Sequence, residues 1–229
     1  MKVLKDKFTF AIKAELPLYF SCFNEVQRLI LGLGKRIHNL EIEDDFIRSS
    51  LNIAQISNEW ADSIFLLINY GFIVEALSLV RCHLELSHLL VYLKENPDKF
   101  VKWLNPDKKD WKDFRPETIG KYFESKKYIP QREFYEELSN YVHFTSDYVN
   151  SQHSFNRRAP ISNFHKIAIA QALYNTILDS AKICSILLSI LTEYSEGNSE
   201  ILRQFDDFKK NFDQLNRTYQ NDAKKYLKD

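Results

Sequence analysis

The sequence predicts an all-α protein: a multi-helix bundle of long antiparallel helices, a proline-punctuated segment of short helices and a C-terminal docking helix. Three observations predict it. Apolar residues recur with a helical period of about 3.6 along most of the chain, and no stretch alternates convincingly as a strand would. Only 5 Gly and 6 Pro occur in 229 residues, which favours long uninterrupted elements over many tight turns. Hydrophobic residues make up 45% and charged residues 27%, the balance of a globular protein, and a chain of this length buries a sizeable core without metal or disulfide staples.

The N-terminal stretch "MKVLKDKFTFAIKAELPLYF" is basic, but Lys13 and Glu15 interrupt its apolar run, so it makes a poor signal peptide. Pro17 is suited to open a helix, which is expected to stop at Gly32 or Gly34. A second helix is expected from Glu43 and Asp44, acids that favour an N-terminal turn. Phe46, Ile53, Trp60 and Leu67 repeat at heptad spacing, with Ile64 beside them, and predict its buried stripe. Gly71 is placed to cap its C-terminus.

The third helix, 72–96, contains "FIVEALSLVRCHLELSHLLVYL", apolar nearly all round, as expected of the central helix of a bundle. The short connection at Gly71 sets it antiparallel to its predecessor. Pro97, Pro106, Pro116 and Pro130 cut the next segment into short helices across one end of the bundle. A helix over 131–147 follows, carrying "YEELSNYVHF", and then a polar loop, "YVNSQHSFNRRAP". Ser162 is a candidate cap for a long helix ending near Tyr194.

Gly197 and Ser199 mark the last boundary. Beyond it Phe205, Phe208, Phe212, Leu215, Tyr219 and Tyr226 form a heptad-like stripe. The expected organisation is therefore a bundle over 1–196, with 97–130 as its short-helix insertion, and a helix over 197–229 docked on the bundle or in a dimer seam.

The formal net charge is +0, so the total favours neither nucleic acid nor an anionic membrane, although a local basic patch remains open. Arg81, Glu85, Asp179 and Lys182 interrupt the most apolar helices, which argues against membrane spans. Cys22, Cys82 and Cys184 are far apart and odd in number, with no zinc spacing, and read as reduced core cysteines of a cytoplasmic protein. No cofactor is expected.

Two constellations could carry chemistry. Arg81, Glu85, His88 and Tyr92 share one helical face, within an apolar helix where charges need partners. Glu85 and His88 also form an E-x-x-H, but a di-iron bundle needs a second copy, which the chain lacks. Ser139 and His143, with Tyr135, line a stripe of the later helix. A Ser–His pair suggests a nucleophile and its base, but a regular helix offers neither a strained elbow nor an oxyanion hole beside the serine. His143 could serve instead as a general base or, protonated, as a phosphate contact. His38, His153 and His165 and the pair Arg157–Arg158 are weaker candidates.

The order of Arg81, Glu85, Tyr92-Leu93, Pro97 and Leu138-Ser139 to His143 resembles a family of bacterial all-helical proteins. The resemblance covers roughly 70–145 and supplies no activity. More distantly, Arg81 and His88, with six residues between them, and "LSNYVHF" resemble the HEPN superfamily, although Cys82 follows the arginine and the second stretch lacks one. That resemblance implies a metal-independent endoribonuclease of a bacterial defence or toxin system, built across a homodimer. His143 would take the 2′-hydroxyl proton and Arg81 would steady the phosphate, with Glu85 and Ser139 beside them. The rival expectation is a non-enzymatic interaction or scaffold module, with RNA or a protein as the possible partner, whose Arg/Glu/His cluster is a structural polar network.

Overall fold

The computed structural model describes residues 16–126, 163–194 and 199–226. The described chain is all-α, and no strand occurs among the described residues. Helix α1 spans Pro17–His38, α2 Asp45–Asn69 and α3 Ile73–Glu95. Short pieces follow: α4 (Pro97–Leu104), a 3-10 turn (Asp110–Phe114) and α5 (Pro116–Ser125). Helices α6 (Asn163–Tyr194) and α7 (Ser199–Tyr226) complete the bundle.

Each boundary has a local cause. Pro17, Pro97 and Pro116 stand in the first turns of α1, α4 and α5, where a missing N–H costs nothing. The Asp44 carboxylate accepts the Ile47 N–H at 2.8 Å and caps α2. Gly71, at φ 80, closes α2 with a Schellman pattern: Gly71 N–H donates to the Ile68 carbonyl and Phe72 N–H to that of Leu67.

Helix α1 runs through both glycines expected to stop it. Leu33 and Ile37, on either side of Gly34, are sealed in the core, and their burial outweighs a glycine penalty of about 1 kcal/mol. A Cβ at Gly32 would meet Ile201 at 3.8 Å and one at Gly34 would meet Leu51 at 4.0 Å.

The buried stripe of α2 is displaced from the expected heptad. It runs through Ile47, Ser50, Ile53, Ala54, Ser57, Ala61, Ile64 and Ile68, while Phe46, Trp60 and Leu67 flank it, partly exposed. Small residues occupy the middle of the stripe because α3 and α6 both pack there.

The hub is α6 rather than α3. Helix α6 packs against α1, α2, α3 and α7 and buries Ile169, Ala172, Leu173, Ile177, Ile183, Leu187 and Leu191. Helix α3 packs on α2 and α6 and carries α4 and α5 on its other side. There Tyr92, Leu93, Phe100 and Ile119 form a satellite core. Helix α7 lies on α1 and α6, burying Ile201, Phe205, Phe208 and Leu215. Tyr174 of α6 stacks on Tyr219 at 4.2 Å between ring centroids and donates its hydroxyl to Asn216 at 3.0 Å.

Both α3 and the 166–194 part of α6 are long and apolar enough to cross a membrane by length and composition alone, and at least half of each apolar stretch is buried within the bundle.

Candidate functional site

Of the residues singled out in the sequence, Ser139 and His143 lie outside the described residues, as do Tyr135, Arg157 and Arg158. Arg81 and Glu85 are described, and form a pair one helical turn apart. The Arg81 Nε–H donates to Glu85 Oε1 at 2.9 Å, with the arginine side chain 14% and the glutamate 32% exposed.

The expected face of α3 does not act as one unit. Beyond the Arg81–Glu85 pair, His88 accepts from the Lys182 ammonium at 3.2 Å and lies on the Phe123 ring of α5, centroids 4.6 Å apart. Tyr92 meets the Tyr122 ring edge-on inside the satellite core.

The denser polar cluster is on the opposite side of α3. His83, Ser57 and Asp179 are each 0% exposed. The Ser57 hydroxyl of α2 sits 2.7 Å from His83 Nε2. Asp179 of α6 presents Oδ2 to His83 Nδ1 at 4.0 Å and accepts from Lys182 through Oδ1 at 2.6 Å. Lys182 then continues to His88. Next to Asp179 along α6, Ser180 accepts from Gln27 of α1 at 3.4 Å. Polar contacts thus link α2, α3 and α6 to one another, and a separate one links α1 to α6.

Burial, above all, pushes the His83 imidazole down to about 4 from its ordinary 6.5, with Lys182 acting in the same sense and Asp179 partly opposing both. His88 is pushed down to about 4 by burial and then by Lys182. Both rings are therefore neutral near neutral pH. With the His83 ring proton on Nδ1, toward Asp179, Nε2 accepts the Ser57 hydroxyl. Neither His83 Nδ1 nor Asp179 Oδ2 has a hydrogen-bond partner among the described residues.

The order serine, histidine, aspartate is that of a nucleophilic triad, yet no substrate reaches a hydroxyl sealed under three helices. The arrangement can hold helices in register, and it can couple folding to proton release. It cannot perform acyl transfer where it lies. Among the described residues no group of three or more His, Cys, Asp or Glu side chains is placed to hold a metal ion. Burial and then Glu25 raise the Cys22 thiol to about 11, burial raises Cys184, and burial and then Glu85 raise Cys82. None of the three is a ready nucleophile.

Sequence reasoning missed Ser57 and His83. A signal was present: Asp179 stands in an otherwise apolar run and requires a buried partner. His83, two residues from Arg81, points away from the evident polar face, and so was masked by it.

Compared with known proteins, the chain matches no family model, and neither a curated protein nor a solved structure shows significant similarity.

Proposed function

We propose that this chain is a non-enzymatic helical interaction or scaffold module whose polar network holds its helices in register. One observation carries the reading: the polar residues best arranged for chemistry, Ser57, His83 and Asp179, are completely sealed. A sealed, hydrogen-bonded layer discriminates between helix registers, because any slip strands charged groups in the core.

A second reading, a HEPN-like metal-independent endoribonuclease of a defence or toxin system acting as a homodimer, is favoured by Arg81. Its guanidinium is held by Glu85 and retains access to solvent, as a phosphate-steadying arginine requires. His88 does not complete it, since its Nε2 already accepts from Lys182. The base would be His143.

The test is cleavage of single-stranded RNA with a chelator present, by the parent chain and by Arg81→Ala and His143→Ala variants checked for helicity. The module reading expects intact RNA throughout. Cleavage by the parent that disappears in both folded variants overturns it in favour of the ribonuclease.

A further inference from the structure

The side of α2 turned away from the bundle carries an apolar stripe of its own. Ile56, Trp60 and Leu67 follow one another at i, i+4 and i+11, with Leu66 beside them. Leu66 is 55% and Ile56 39% exposed, and Trp60, although partly buried, belongs to neither hydrophobic core. Trp60 and Leu67 are the heptad positions expected inside the bundle, and here they border the open side. A run of large apolar side chains along one exposed helix face is a docking surface rather than scattered exposure.

The charge around the stripe has one sign. From Ser49 to Val80 the chain carries Glu59, Asp62 and Glu75 and no Lys, Arg or His. All three acids are exposed, and Glu59 and Asp62 form no ion pair among the described residues. Pairing of the stripe with its own copy about a two-fold axis would set these acids against each other. The complementary occupant is apolar and basic.

Residues 1–15, outside the described residues, have that composition: Leu4, Phe8, Phe10 and Ile12 among Lys2, Lys5, Lys7 and Lys13, with Asp6 and Glu15 as the acids. They also enter the fold beside the stripe. Leu16 is buried just before α1, and Phe20, one turn later, meets Phe65 of α2 edge-on at 5.3 Å between centroids. From Leu66 back to Ile56 is about 15 Å along α2, and 15 residues span about 22 Å even as a helix, which leaves length for a reversal. A tether this short supplies an effective concentration in the millimolar range, so a modest apolar contact suffices to hold the segment.

We propose that residues 1–15 fold back on the outer face of α2, their apolar side chains covering Ile56, Trp60, Leu66 and Leu67 and their lysines facing Glu59 and Asp62. The stripe is then an internal docking site that the chain fills itself. The proposal is independent of the sealed Ser57–His83–Asp179 cluster and of whether the chain cuts RNA.

Amide exchange of the full-length chain, read by mass spectrometry, tests it, with a synthetic peptide of residues 1–15 as the unprotected reference. Amides over 4–12 are expected to exchange about tenfold or more slowly in the chain than in the peptide. Ile56→Ser with Leu66→Ser, at exposed positions that leave the core intact, should cut this protection at least about fivefold. Glu59→Lys with Asp62→Lys should cut it about two- to fivefold. Exchange as fast as in the peptide overturns the proposal. Protection that neither pair of substitutions changes overturns it too, because the segment is then held elsewhere. Sedimentation of the same samples supplies the last arm: protection that disappears on dilution together with a dimer assigns the stripe to a second copy and overturns the intramolecular cover.

Discussion

His83 makes the stability of this protein depend on pH in a direction that can be worked out. Its ring is neutral in the folded protein, with the proton affinity pushed down to about 4 from 6.5. The unfolded chain therefore binds a proton on falling through 6.5 that the folded chain refuses until about 4. Where the unfolded state holds more protons, stability rises with pH. The contribution of His83 is present in full above 6.5 and is lost as pH falls toward 4. The full difference is on the order of 3 kcal/mol, and about 2 kcal/mol of it is gone by about pH 5. The perturbation is His83→Gln, which keeps an amide able to bond Ser57 but does not titrate. Urea unfolding of parent and variant at about pH 7 and about pH 5 cancels the carboxylates and other histidines common to both. The parent is expected to lose about 2 kcal/mol more than the variant between the two pH values. Equal losses would refute the reasoning. A smaller loss in the parent than in the variant would show instead that His83 is charged and paired with Asp179.

Ser57→Ala removes the hydroxyl at His83 Nε2 and leaves a buried ring nitrogen unpaired, so equilibrium unfolding should show a cost of about 1–3 kcal/mol; less than about 0.5 kcal/mol would mean that the bond is not a structural one. Gly34→Ala should raise stability by about 0.5–1 kcal/mol, because α1 is helical there and Leu51 at 4.0 Å leaves room for a methyl group. A destabilised variant would show that the α1–α2 approach is tighter than this distance implies. Phe208→Ala, at a fully buried ring between α7 and the bundle, should cost about 3–5 kcal/mol. Amide exchange over 199–221 should then accelerate more than exchange in α6; equal acceleration would contradict the docking of α7 as a separable layer.

Much of the architecture was legible because helical periodicity, proline positions and the cap at Gly71 are local properties. Of the six residues of the expected α7 stripe, Phe205, Phe208, Phe212, Leu215 and Tyr219 pack on the bundle, and the Tyr226 side chain lies outside the described residues. The extent of α1 was not legible: glycine propensity is a weak local term, and Leu33 and Ile37 are held by neighbours distant in sequence. The centre of the bundle was misassigned for a related reason. Helices α3 and α6 are both apolar nearly all round, and only packing distinguishes the helix with four long neighbours, α6, from the one partly covered by short pieces.

The candidate site divides in the same way. Arg81 and Glu85 were legible as a pair because one turn of helix separates them. Ser57, His83 and Asp179 come from three helices, separated by 26 residues in the first step and by far more in the second, and no spacing rule connects them. By itself, the sequence determined that the protein is all-α, where most of its helices begin and end, and that charges embedded in apolar helices would need partners. Only the tertiary structure decided which partners those were, because burial and pairing depend on which faces of separate helices meet.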